Sequence, residues 1–128
     1  MTRIMSRTTP PSTRRNYDHG RRAEFLCRLA LRLKGYQILA ARYRTPLGEI
    51  DIVAARGNVI AIVEVKARSS RDRAAAALSP QQQARLQRAA QYLLARRPEL
   101  MHAILRFDLM LVAPRRWPEH IPSAWDGI

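Results

Sequence analysis

Lysine is almost absent from this chain. Of 23 basic residues only Lys34 and Lys66 are lysine, and the rest are arginine. Acid is scarce too: 10 Asp and Glu leave a formal net charge of +13. A surface of that sign draws polyanions, so nucleic acid is the expected partner, DNA ahead of RNA. The single cysteine, Cys27, excludes an internal disulfide and reads as a small apolar group in a helix. His19, His102 and His120 lie far apart, without ligand spacing to that cysteine, which argues against a structural zinc site. No apolar run approaches the length of a spanning helix and no signal-peptide core follows the start. A cytoplasmic protein off the membrane is therefore expected. At 128 residues, one domain with one core is the expectation.

What is present centres on Gly48 to Lys66. Two runs rich in Ile, Val and Ala flank Gly57-Asn58, a hairpin signal because both residues tolerate positive φ. With a two-residue loop, Arg56 opposes Val59, Val53 opposes Ile62, Asp51 opposes Glu64 and Glu49 opposes Lys66. Strand alternation puts Glu49, Asp51, Glu64 and Lys66 on one face. Ile50, Ile52, Val63 and Val65 point the other way, under a helix. Directly opposed Cβ atoms lie roughly 5 Å apart. Two carboxylates at that range either share a proton or hold a cation, and a hard divalent ion such as Mg²⁺ or Mn²⁺ suits them. Lys66 is the amine beside them, a compact charge fitted to positioning a water. The competing reading pairs Lys66 with Glu49 at the sheet edge.

The remainder arranges itself around that hairpin. Residues 1–16 read as a disordered basic arm and 17–128 as the domain. From Tyr17 to Lys34, Ala23, Leu26, Leu29, Ala30 and Leu33 recur at helical spacing, with Asp18 as N-cap and Gly35 as terminator. Glu24 sits at the margin of the polar side, where Arg28 four residues on is its local partner. A strand follows from Tyr36, then a turn at Thr45-Pro46-Leu47-Gly48. Arg68, Arg71 and Arg73 form a basic loop directly after the acidic pair, a natural phosphate clamp with Arg44 and Arg85. Ser79-Pro80-Gln81-Gln82 is a helix start of capping-box type, and the helix runs to Arg96 over a stripe of Leu86, Ala90 and Leu93. In the last strand, Ala103 to Ala113, Leu105, Phe107, Leu109 and Leu111 take one face. Arg106 and Asp108 take the other, with Asp108 read as a structural mate for an arginine. Past Pro114 an irregular tail is expected, with its tryptophans used in packing. The order is αβββαβ. It gives an α/β fold with a mixed central sheet flanked by helices, the third and fourth strands joined by a parallel crossover.

Asp51 followed by Glu64-Val65-Lys66 resembles the D-(X)n-E-X-K signature of the restriction-endonuclease-like, PD-(D/E)XK, nucleases, without the proline. The longer series Arg21-Arg22-Ala23-Glu24, Lys34-Gly35-Tyr36, Gly48-Glu49-Ile50-Asp51, Glu64-Val65-Lys66-Ala67-Arg68 and Arg106-Phe107-Asp108 resembles the YraN-like bacterial family. That family is similar to archaeal Holliday-junction resolvases. The resemblance implies a restriction-endonuclease-like core and a metal-dependent endonuclease acting on DNA, including branched DNA. It implies Asp51 and Glu64 as metal ligands with the Val65 carbonyl, Glu24 reaching in from the first helix, and Glu49 joining them or pairing with Lys66. Lys66, Asp51 and Glu64 would carry the reaction. A branched substrate would call for a homodimer. The alternative is a binding module that keeps the fold and cuts nothing.

Overall fold

A computed structural model describes residues 11–67 and 78–125, with side chains from residue 20 onward. Helix α1 spans Pro11–Leu33, followed by strands β1 (Gln37–Thr45), β2 (Gly48–Arg56) and β3 (Val59–Ala67). Helix α2 (Pro80–Arg96), a 3₁₀ turn (Pro98–Leu100), β4 (Ile104–Val112) and β5 (Glu119–Ile121) complete the chain. The sheet is mixed, in the order β1-β2-β3-β4-β5. β1, β2 and β3 are antiparallel, β3 and β4 parallel, β4 and β5 antiparallel.

Local chemistry accounts for the ends of the elements. Helix α1 closes on Gly35 (φ 92°), where Tyr36 N–H reaches the Leu31 carbonyl and Gly35 N–H that of Arg32. This left-handed termination suits a residue without Cβ. At its other end α1 begins at Pro11 instead of near Tyr17, so Asp18 falls within the helix and not at its start. Helix α2 opens on the expected reciprocal cap: Ser79 Oγ accepts from Gln82 N–H and Gln82 Oε1 accepts from Ser79 N–H. The hairpin register is as read, Arg56 against Val59 and Val53 against Ile62. Only Gly57 takes positive φ (58°), so Asn58's tolerance for it is not used.

Two cores sandwich the sheet. Under α2, Leu86, Ala89, Ala90 and Leu93 pack on Ile50, Val53, Ile60, Ile62 and Phe107. Under α1, Cys27, Ala30 and Leu31 pack on Ile52, Ala54, Ala61, Val63 and Met110. The α1 stripe is displaced in part from the sequence reading: Ala23 and Ala30 are buried as read and Cys27 and Leu31 join them, whereas Leu29 and Leu33 are 37 % and 72 % exposed. Leucine spacing alone offers two interleaved stripes, and the sheet selects one. The tail is more ordered than expected. β5 pairs Met110 with His120, and Trp125 stacks on Phe107 at 4.3 Å between centroids. No described helix is long and apolar enough to cross a membrane.

Candidate functional site

The hairpin opens at its base. The β2–β3 ladder runs from Arg56↔Val59 to Ile52↔Val63 and ends there. β2 continues against β1 down to Thr45↔Gly48, and β3 continues against β4 up to Ala67↔Val112. Asp51 and Glu64 are the first residues past the fork. Strand β2 also rotates there, because Ile50 enters the core under α2 while Ile52 enters the core under α1. This corrects the expectation that both isoleucines share a face. A register irregularity at Ile38/Ala40 and a left-handed Arg42 (φ 54°) accompany the rotation in β1.

The fork frees a backbone donor, and an acid takes it. Val65 N–H, released from β2, donates to Asp51 Oδ2 at 2.8 Å. Asp51 and Glu64 lie close enough for the charge of Asp51 to act on Glu64. Burial raises the Asp51 carboxyl above its ordinary range, and the Glu24 charge adds to that. Burial and then the Asp51 charge push Glu64 from 4.5 up to about 7. Lys66 Nζ stands 3.6 Å from Glu64 Oε2, both side chains largely covered. In the core under α1, burial, with help from the Asp51 and Glu24 charges, pushes the Cys27 thiol up to about 12.

Asp51, Glu64, Val65 and Lys66 therefore meet at one place, and other candidates stand around it. Glu24 is close enough to act on Asp51, yet its carboxylate accepts from Arg42 Nε at 2.7 Å, not from Arg28. Arg28 instead lies over the Phe25 ring. Glu49 pairs with the exposed Arg44 at 3.3 Å, so Lys66 takes Glu64 and not Glu49 as its partner. The strands have already parted where Glu49 and Lys66 would have faced each other. Among the described residues no three His, Cys, Asp or Glu side chains converge as a metal-holding group. Arg85 lies across the start of β2: a Cβ on Gly48 would come within 2.6 Å of its Cγ. Arg68, Arg71 and Arg73 fall outside the described residues. The residue the sequence reading missed is Arg42. Nothing in hydropathy periodicity marks it, since its signal is a backbone angle.

A second acid centre occupies the α1 side of β4. Asp108, 1 % exposed, accepts from Arg106 Nε (2.8 Å) and Nη2 (2.7 Å), His120 Nε2 (2.8 Å) and Ser123 N–H (3.1 Å). Burial alone would raise this carboxyl, but the bonds from His120, Arg106 and Ser123 outweigh it and hold it low. Lys34 Nζ lies 2.9 Å from His120 Nδ1. An ammonium only donates, so Nδ1 accepts and Nε2 carries the proton given to Asp108. Asp108 is the structural partner of an arginine, as its place on β4 suggested.

Residues 23–112 match the uncharacterised protein family UPF0102. The chain is 56% identical over 109 residues to a UPF0102 protein of Parvibaculum lavamentivorans, covering 85% of this chain and 82% of that one. It is 49% identical over 129 residues to one from Rhodopseudomonas palustris, covering 99% and 98%. It is 60% identical over 97 residues to UPF0102 protein bll0669 of Bradyrhizobium diazoefficiens, covering 76% and 73%.

Proposed function

Because the chain belongs to the uncharacterised protein family UPF0102, whose name carries no activity, we propose its function from the site itself: a metal-dependent endonuclease of the PD-(D/E)XK type that hydrolyses DNA phosphodiester bonds. The observation that carries this is the buried Asp51–Glu64 pair at the fork of β2 and β3, with Lys66 beside it. Two neighbouring carboxyls, both raised by burial, form an oxygen donor set that a hard divalent ion suits. Asp51, Glu64 and the Val65 carbonyl would hold Mg²⁺ or Mn²⁺, and Glu24 stands next to them. Such an ion polarises a phosphoryl oxygen and lowers the pKa of a bound water.

The chain's own residues supply the rest. Asp51, fixed by Val65 N–H, keeps its orientation while Glu64 exchanges its proton. Lys66, tethered to Glu64, presents an ammonium to charge developing on the phosphate. Arg44, and Arg85 where it crosses Gly48, offer sequence-independent phosphate contacts on the β1–β2 side, with affinity that falls steeply with salt. The net charge of +13 supports a polyanionic substrate equally for a non-catalytic DNA-binding module.

Linear and branched DNA incubated with Mg²⁺ or Mn²⁺ decides between the two. Wild type is expected to cleave, Asp51→Ala to fall to background, and Lys66→Ala to lose roughly 10²–10³-fold. Salt-sensitive binding that survives Asp51→Ala, with equal or no cleavage in all three proteins, would establish the binding module instead.

A further inference from the structure

Glu24 presents a puzzle that Arg42 resolves. Its charge reaches both Asp51 and Cys27, so it stands at the site. Its carboxylate is nevertheless committed to Arg42 Nε at 2.7 Å, and no three acids converge among the described residues. Arg42 has its own peculiarity. It lies within β1 in a left-handed conformation (φ 54°), which is strained for a residue with a side chain. Such strain persists where the surroundings over-determine it, and it gathers at sites that act.

We infer that Arg42 is a latch on Glu24, opened by the phosphate backbone of the substrate. This rests on the nuclease reading of the same site. A guanidinium matches carboxylate and phosphate oxygens with the same fork of donors, so exchange between the two conserves its hydrogen bonding. The side chain of Arg42 is 32 % exposed and that of Glu24 14 %, so an incoming phosphate meets the arginine first. Once Arg42 turns to phosphate, Glu24 becomes the third carboxylate beside Asp51 and Glu64. The cation then binds tightly only when nucleic acid is present. Arg42 acts here as a positioning residue, through Glu24.

The bland account of the same ion pair has Arg42 orienting Glu24 toward the cation, and it makes the opposite prediction. Mn²⁺ affinity of the full chain, measured by calorimetry without DNA, separates the two by sign. Arg42→Gly keeps the left-handed backbone without strain and removes the guanidinium. The latch predicts that Mn²⁺ then binds roughly ten-fold more tightly. Adding Glu24→Gln to Arg42→Gly must abolish that gain, which a mere loss of positive charge would leave in place. In wild type, a short phosphorothioate duplex, with duplex-only binding subtracted, raises Mn²⁺ affinity several-fold, and in Arg42→Gly it adds little. Mn²⁺ binding that is unchanged or weakened by Arg42→Gly overturns the latch and leaves the nuclease reading standing. Absence of Mn²⁺ binding in every protein, with and without duplex, overturns both.

Discussion

Asp51 and Asp108 are both drawn into the interior, and they end in opposite states. Asp108 receives donors from an arginine, a histidine and a backbone amide, and its carboxyl is held low. Asp51 accepts one backbone N–H and faces the charge of Glu24, and burial above all raises its carboxyl. The first is an acid whose charge the fold has neutralised. The second is an acid whose charge the fold has left to be answered from outside. Burial alone therefore does not single out a candidate site; the direction in which the surroundings move the carboxyl is the feature that separates Asp51 from Asp108.

The sharpest way to break this contrast is to remove Asp108. Asp108→Ala leaves Arg106 and His120 facing an empty interior, and breaking a buried pair in that way costs about 3–5 kcal/mol. Urea denaturation should show the midpoint fall accordingly, while Asp51→Asn should not lower it.

pH sharpens the contrast next. Glu64 holds its proton more tightly folded than unfolded. Its contribution is therefore complete below 4.5 and is lost as pH rises toward about 7. The loss is on the order of 3 kcal/mol if the whole shift is expressed. Asp108 has the reverse sign: its contribution is complete above its ordinary 3.8 and is lost as pH falls below that value. Metal-free protein should thus lose stability between pH 4.5 and 7. Mn²⁺ should restore it at the upper end, and Asp51→Asn should flatten the slope, all read from denaturation midpoints across pH.

The smallest effect lies far from both acids. Ser79→Ala removes one half of the α2 cap and should cost about 1 kcal/mol, with cleavage and Mn²⁺ affinity unchanged. Measured beside the acid variants, it shows that lost stability alone does not move the site.

What was legible in the residues follows the range of the interactions that decide it. The hairpin register, the α2 cap and the β3-to-β4 crossover rest on chemistry within a few residues or on chain length, and all three were readable. The opposition of Asp51 and Glu64 was read one step too far, since the ladder ends at Ile52 against Val63 and the two acids lie just beyond it. The fork was not readable. It exists because β2 stays with β1 while β3 stays with β4, a choice made by partners distant in sequence. Consequently Glu49 and Lys66, paired on paper, find Arg44 and Glu64 instead. β5 escaped for a related reason. Its three residues lie in a stretch with prolines on either side, and His120 is tied to Asp108 across the sheet. The α1 stripe went wrong in part, since Leu29 and Leu33 repeat as regularly as the residues that are buried.

The lone thiol of Cys27 is 0 % exposed and protonated up to about pH 12. An alkylating reagent can reach it only when α1 lifts from the sheet. Its modification rate is therefore a clock for that opening, built into the chain at one atom of the core under α1.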